Sequence, residues 1–99
     1  MEKYDISFTK SAIKDLAWFK KKEQNEIRDG IYENLEYEPT VETRNRKRLR
    51  PNETAEWELR IGKFRVFYDV DPEISQVRVE AIGYKEGNRL FIRGKEFKI

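Results

Sequence analysis

Basic side chains crowd into the second half of the chain, and their type and spacing could do chemistry. Residues 1–43 carry ten acidic and seven basic side chains, whereas residues 44–99 carry fourteen basic and nine acidic ones. Such a basic half is the electrostatic footprint expected of a phosphate-binding surface or a site for an acidic partner. A solvated surface that keeps the protein soluble is the alternative. The densest cluster consists of Arg44, Arg46, Lys47, Arg48 and Arg50.

The residue types that are missing restrict this chemistry further. The 99 residues include no Cys and no His, which excludes a disulfide scaffold, a thiolate metal site, a Ser-His-Asp triad and an HExxH site. We therefore expect no metal and no cofactor, and an enzyme of this composition would use Lys, Arg, Tyr and carboxylates. No apolar run approaches the ~18 residues of a membrane span, and no signal-peptide pattern opens the chain. We expect a cytoplasmic protein without membrane contact.

Hydrophobic periodicity predicts a strand and then two helices ahead of the basic half. Alternation over residues 4–8 predicts a half-buried strand. Apolar residues at helical spacing over residues 12–19, Ile13 among them, predict a first helix. A second helix is predicted over residues 24–35, where Gly30 would let it approach the first. The two helices should form an antiparallel hairpin.

From residue 56 onward the period changes to that of strands. Alternation predicts strands over residues 56–61, 64–70 and 77–82, joined by tight turns, with a weaker alternating tail after residue 89. In the third of these strands, Ala81 should point inward and Ile82 outward. The expected architecture is one α+β domain over residues 1–99, in which the helical hairpin packs on one face of a twisted antiparallel sheet.

The opposite face of the predicted sheet would carry the chemistry. Arginines around an aromatic ring are what a nucleic-acid surface needs, since guanidinium binds phosphate and a ring stacks on a base. Cross-strand Arg–Glu pairs are the alternative explanation of the same pattern. The residues predicted on this face are Glu58, Arg60, Arg65, Phe67, Arg78 and Glu80.

The strand region also carries a resemblance to a known family. Its most specific parts are Trp57-Glu-Leu-Arg-Ile-Gly-Lys-Phe-Arg-Val-Phe-Tyr-Asp-Val70 and Ala81-Ile-Gly-Tyr-Lys-Glu86. These stretches resemble the RelE/ParE family of toxins from prokaryotic type II toxin–antitoxin modules, and residues 4–12 and 45–50 fit the same family. The resemblance implies a β-α-α-β-β-β fold and a cognate antitoxin that wraps and blocks the toxin. Operator DNA would be bound only through that complex.

The resemblance leaves three functions open. RelE-like members enter the ribosomal A site and cleave mRNA without a metal, whereas ParE-like members share the fold but inhibit DNA gyrase. A degenerate toxin that only binds its antitoxin is the third possibility, because fold alone does not fix function. We predict a RelE-like endoribonuclease that acts on ribosome-bound mRNA and inhibits translation.

Roles for individual residues follow from the same resemblance. Arg65 matches the arginine after the tight turn and would stabilise the charge of the transition state. Arg60 would hold a phosphate, and Lys85 falls where RelE has an arginine, keeping the charge but losing bidentate geometry. The remaining cations predicted to bind nucleic acid are Arg46, Lys47, Arg48, Arg50 and Arg78.

Two departures from RelE concern proton transfer. Phe91 falls where RelE has a tyrosine implicated in catalysis, and Glu56 and Glu58 fall where RelE has lysines. The Tyr84 hydroxyl or the Glu58 carboxylate would then have to move the proton, with Lys47 and Arg48 among the basic groups. An ordinary strand-end aromatic is the alternative for Tyr84, so the general base stays open.

Overall fold

The computed structural model describes all residues from 1 to 99 and contains two helices and seven strands. No helix is both long and apolar enough to cross a membrane. In chain order the elements are β1 (Asp5–Phe8), α1 (Lys10–Ala17), α2 (Lys21–Leu35), β2 (Arg46–Arg48), β3 (Trp57–Ile61), β4 (Phe64–Asp71), β5 (Gln76–Glu86), β6 (Arg89–Ile92) and β7 (Lys95–Phe97).

One sheet contains all seven strands. Strands β2 to β7 follow one another in sequence order and pair antiparallel, whereas β1 runs parallel to β5. The long strand β5 has β1 beside its first half and β6 beside its last three residues, both on the same edge. The predicted α+β class, with two helices on one face of the sheet, is confirmed.

The main core lies between the helices and the sheet. Apolar side chains from α2, such as Ile27 and Ile31, meet buried residues of the central strands, such as Leu59 and Val79. Helix α1 packs on β5 and β1, and α2 packs on β3. Burial of these side chains is the main source of stability for the helices, which are otherwise strongly polar.

Two expectations about the helices are wrong. A Cβ at Gly30 would come within 2.5 Å of Ile61 Cδ1, so this glycine lets α2 approach β3 and not α1. In α1, Ile13 is 56% exposed, whereas Asp15 is only 1% exposed. Apolar spacing alone does not decide which helix face turns inward, because a carboxylate with suitable donors can occupy a buried position.

A β-bulge reverses part of the alternation predicted for β5. Phe67 pairs with Ala81 but its neighbour Tyr68 pairs with Val79, so Glu80 is an extra residue in β5. Beyond such a bulge the side chains change faces. Ile82 is therefore fully buried in the main core, and Ala81 points to the opposite face.

The face of the sheet turned away from the helices, here called the outer face, is partly covered by the end of the chain. The sheet curls until both of its edge strands flank one groove, with Lys47 of β2 opposite Phe97 of β7. Gly83 permits this curl, since a Cβ there would overlap the Phe91 carbonyl oxygen. Leu90 then packs on Phe67 in a small second cluster. The prediction of an exposed Phe67 ring is wrong, because this residue is fully buried.

Candidate nucleic-acid interface

A groove of about 460 Å³ runs along the outer face. Strands β2 and β3 form one side, the β6–β7 hairpin and residues 98–99 form the other, and Phe67 contributes to the lining. The groove is lined by two carboxylates, Glu58 and Glu96, and by five basic side chains: Lys47, Arg60, Lys85, Arg89 and Lys98. We call it the cationic groove. Its excess of positive charge suits a polyanion.

Two arginines face each other beside this groove. Arg60 of β3 pairs directly with Arg65 of β4 in the antiparallel register, so both side chains lie on the outer face. Like charges in this arrangement destabilise a sheet. Arg65 Nη1 donates to the carbonyl oxygens of Gly62 (2.8 Å) and Phe64 (2.9 Å), and its Nε is buried without an acceptor. An anion at this point would relieve the repulsion.

The surroundings of Arg65 disfavour its charge. Burial lowers the pKa of its guanidinium most strongly, and the nearby Arg60 lowers it further, while Glu58 acts in the opposite direction. The group nevertheless stays charged, because a free guanidinium titrates far above neutral pH. A cation that is poorly compensated by its own protein is prepared to interact with a phosphate.

Glu58 lies at the centre of this arrangement. It pairs with Lys47 of β2 on one side and with Phe67 of β4 on the other, and it is only 8% exposed. Its Oε1 is 3.4 Å from Arg60 Nε. A carboxylate held among cations in a groove can accept a hydrogen bond or a proton from a bound ligand.

Strand alternation divides the basic cluster of β2. Lys47 points into the groove opposite Glu58, whereas Arg46 and Arg48 pair with Leu59 and Trp57 and therefore point to the helix side. Successive side chains of a strand point to opposite faces. The five basic side chains between Arg44 and Arg50 thus do not form one surface.

The arginines on the helix side have structural partners. Arg46 donates to the carbonyl oxygens of Asn34 (2.6 Å), Tyr37 (3.3 Å) and Val41 (3.0 Å), and so ties the end of α2 to β2. Arg48 lies over the Trp57 ring, 5.7 Å from its centroid.

Arg50 is exposed beyond β2, in a shallow pocket that also includes Lys47 and Arg48. This pocket shares Lys47, Leu49 and Ile99 with the cationic groove, so Arg50 extends the basic surface past the groove.

Arg78 lies at the opposite end of the outer face. Its Nε donates to Glu80 Oε2 at 2.8 Å, and its Nη2 is 3.7 Å from Asp69 Oδ2. The hydrogen bond with Glu80 is the main reason that its pKa is raised. This end of the face is acidic, with Asp71 and Glu53 nearby. The structure does not bring Arg78 together with the groove arginines.

Tyr84 lies on the helix side of the sheet, away from the groove. Its ring stacks between Trp18 (centroid distance 5.6 Å) and Phe91 (5.4 Å), with the edge of Phe19 at 6.1 Å. The next residue, Lys85, points to the outer face and lines the groove. The hypothesis that Tyr84 supplies a proton there is not supported by this geometry, which agrees with the alternative of a strand-end aromatic.

Several residues of the groove are not predicted from the sequence. Arg89 and Glu96 form a two-point ion pair across the β6–β7 hairpin, with Nη2–Oε1 at 2.7 Å and Nε–Oε2 at 3.2 Å. The sequence feature that points to this hairpin is the weak alternation after residue 89, together with Gly94 at the turn. Lys98 carries no such signal. No three carboxylates lie close enough together to hold a metal ion.

Comparisons with known structures identify the fold. The structure superimposes on a RelE toxin chain from the RelBE2 toxin–antitoxin complex of Mycobacterium tuberculosis with a TM-score of 0.75. The two are 25% identical, over 86% of this chain and 94% of that one. The archaeal RelE–RelB complex of Pyrococcus horikoshii matches with a TM-score of 0.66 and 20% identity, over 87% and 98% of the two chains, which supports the fold alone.

The sequence itself matches no protein-family model and no curated protein. The relationship is therefore carried by three-dimensional structure, over most of both chains. The chain has the fold of the RelE-like toxins, and the resemblance to the RelE/ParE superfamily predicted from its sequence is confirmed.

Proposed function

We propose that this chain is the toxin of a type II toxin–antitoxin module and cleaves ribosome-bound mRNA in the cationic groove. The observation that carries the proposal is the facing pair Arg60 and Arg65, with Glu58 beside them. Lys47 and Lys85 extend the positive surface on either side of this pair. The setting of the reaction would be the cytoplasm, where translation takes place.

Metal-free RNA cleavage by the 2′-hydroxyl requires three contributions. A base removes the hydroxyl proton, cations stabilise the extra charge on phosphorus, and an acid protonates the leaving oxygen. The Glu58 carboxylate takes the 2′-hydroxyl proton while the bond from the 2′ oxygen to phosphorus forms. The bond from phosphorus to the 5′ oxygen then breaks, and the Lys85 ammonium donates a proton to that oxygen. Arg60 and Arg65 hold the non-bridging oxygens throughout.

The test is cleavage of messenger RNA in a translating extract, mapped by primer extension. The wild-type chain should produce new mRNA ends and stop protein synthesis. Arg65→Ala should lower the cleavage rate by about 10²- to 10³-fold, the usual cost of a lost charge stabiliser. Arg28→Ala, at an arginine of α2 that does not line the groove, is the matched control and should cleave normally. Intact message with normal translation would contradict the proposal.

A gyrase inhibitor is the second candidate, and one feature of the structure favours it. Tyr84 is stacked on the helix side and Phe91 has no hydroxyl, so no tyrosine lines the groove. Reduced supercoiling by purified gyrase on addition of the chain would support this candidate. If neither assay responds and expression without an antitoxin leaves growth normal, the chain is a degenerate toxin that only binds its antitoxin.

An antitoxin partner is part of the proposal. Both neighbouring structures are RelE chains solved in complex with a RelB antitoxin. An antitoxin segment with acidic side chains would neutralise the cationic groove, and operator DNA would be bound through that complex. We expect the complex to mask Arg60 and Arg65 and to lose RNA binding. If both arginines stay accessible in the complex, direct blocking of the groove is wrong.

A further inference from the structure

The edge of β5 has a gap between its two neighbouring strands. β1 pairs with β5 up to Val79 and β6 begins only at Tyr84, so residues 80–83 have no strand on that side. Helix α1 fills the gap. Its N-cap Thr9 donates from Oγ1 to the Glu80 carbonyl at 3.3 Å. Backbone groups left without partners in such a gap would be costly.

Asp15 of α1 completes this gap and reaches a second element. Its Oδ2 accepts the Ile82 N–H at 3.1 Å. Its Oδ1 is 2.9 Å from Arg93 Nε, an ion pair rather than a well-aligned hydrogen bond. Burial raises the pKa of this carboxyl, while the Ile82 N–H and Arg93 oppose the rise. One buried side chain thus joins α1 to β5 and to the β6–β7 turn.

The β6–β7 turn is held in a conformation that is unfavourable for its sequence. Arg93 has φ +50° and Gly94 has φ +77°, the combination typical of a type I′ hairpin turn. Glycine adopts this region freely, but arginine does so only when the surroundings require it. The ion pair with Asp15 is the contact that holds Arg93 in this conformation. Gly94 also fits closely beside Trp18, since a Cβ there would lie 3.2 Å from Trp18 Cζ2.

The same hairpin forms one side of the cationic groove. Arg89 and Glu96 project from it into the groove, and residues 97–99 extend that side toward β2. The hairpin pairs with the rest of the sheet over only three residues of β5. The position of the hairpin relative to Arg60 therefore depends also on contacts outside this strand pairing. The charged contact among them is the ion pair between Asp15 and Arg93.

We propose that Asp15 is a positioning residue, which holds Arg93 and thereby sets the β6–β7 hairpin at the distance from β3 that lets the cationic groove bind RNA. Asp15 lies on the helix side and does not touch the ligand in this proposal. The inference rests on the proposed function only in taking RNA as the ligand of the groove. The position of the hairpin can be tested without RNA.

The first test measures binding of a short fluorescein-labelled oligouridylate by fluorescence anisotropy. Asp15→Asn removes one negative charge, so simple electrostatics predicts equal or tighter binding to this polyanion. The proposal predicts the opposite: binding about tenfold weaker, within the range of couplings between contacting residues. Glu36→Gln is the matched control, because it also converts a carboxylate of an ion pair, here with Lys3, into an amide. Tighter or unchanged binding by Asp15→Asn would overturn the proposal.

A second variant distinguishes a displaced hairpin from a protein that fails to fold. Arg93→Gly removes the ion pair but places glycine where φ is positive, so the turn itself should be no less stable. Because Asp15 is then buried without its charged partner, we expect a lower melting temperature with a transition that is still cooperative, about tenfold weaker oligouridylate binding and faster hydrogen exchange of the amides from Arg89 to Phe97. Lys3→Gln controls for the lost positive charge. If Arg93 does not position the hairpin, Arg93→Gly should bind the oligouridylate as tightly as Lys3→Gln does.

Hydrogen exchange separates this inference from the proposed function. If the wild-type chain neither binds nor cleaves RNA, the proposed function fails. In that case Asp15→Asn should still accelerate exchange in the β6–β7 hairpin relative to Glu36→Gln. Unchanged exchange would show that Asp15 does not position the hairpin, whatever the ligand.

Discussion

The two ends of the outer face carry the same types of side chain in opposite arrangements. At one end Arg60 faces Arg65 across a strand pair, and only Glu58 offsets them. At the other end Arg78 lies between Glu80 and Asp69 and is neutralised by them. Burial lowers the pKa of Arg65, whereas the Glu80 hydrogen bond raises that of Arg78. Arginine on a sheet surface thus marks a candidate ligand site only where its own protein leaves it uncompensated.

The largest expected effect concerns Glu58, the carboxylate beside Arg60 and Arg65 on the outer face. If it removes the 2′-hydroxyl proton, Glu58→Gln should lower the cleavage rate about 10²- to 10⁴-fold, the usual contribution of general base catalysis. Binding of uncleaved RNA should stay equal or become tighter, because one negative charge is lost. Single-turnover cleavage and anisotropy measure the two effects separately. Glu80→Gln at the acidic end is the matched variant and should cleave normally.

The next effect concerns Phe67, which lines the cationic groove and belongs to the second cluster. Phe67→Ala removes a fully buried ring from the second cluster and should lower the free energy of unfolding by about 3–5 kcal/mol. Phe67→Leu, which keeps most of the volume, should cost less than half of that. Urea denaturation measures both. A small loss for Phe67→Ala would show that the second cluster is not a packed core.

A smaller effect should distinguish the environment of Arg60 from that of Arg78. Arg60→Ala should weaken RNA binding and reduce the slope of log affinity against log salt by about one unit, as expected for a lost phosphate contact. Arg78→Ala should leave that slope unchanged. Its effect should be on stability and no more than about 1 kcal/mol, because the Arg78 side chain is half exposed. Equal slopes for both variants would remove the distinction between the two ends.

The smallest effect is a pH dependence at the acidic end. Burial and the nearby Asp69 carboxyl raise the pKa of Glu80 above its ordinary 4.5, against the opposing effect of Arg78. The native state then holds this proton more tightly than the unfolded state, so the contribution of Glu80 to stability falls as the pH rises through the native pKa. Relative to Glu80→Gln, the wild-type chain should therefore lose stability as the pH rises from below 4.5. Urea denaturation across that range measures the difference, and parallel curves for the two proteins would contradict it.

The sequence was most informative where structure depends on near neighbours. Alternation within the β3–β4 hairpin predicted that Arg60 and Arg65 share the outer face, because a tight turn fixes their register. The sequence does not define the short strand β2, so it does not assign Arg46, Lys47 and Arg48 to different faces. Three residues are too few for periodicity to be distinguished from a polar loop.

Tertiary contacts decided the arrangement of residues that are far apart in the chain. The bulge at Glu80 turned Ile82 inward, and the curl of β6 over the outer face buried Phe67. The ion pair of Asp15 with Arg93 joins residues from opposite ends of the chain. No local pattern encodes such contacts, since they depend on how completed elements pack against one another.

The sequence by itself determined the order of β1, the two helices and the strands β3 to β5, the absence of His and Cys from any chemistry, and the cationic character of residues 44–99. The tertiary structure decided which of those cations act together. Lys47, Arg60 and Lys85 meet in the groove with Arg65 beside them, whereas Arg46 binds carbonyl groups at the end of α2. Charge is a property of each residue alone, but compensation of charge is a property of its neighbours in space.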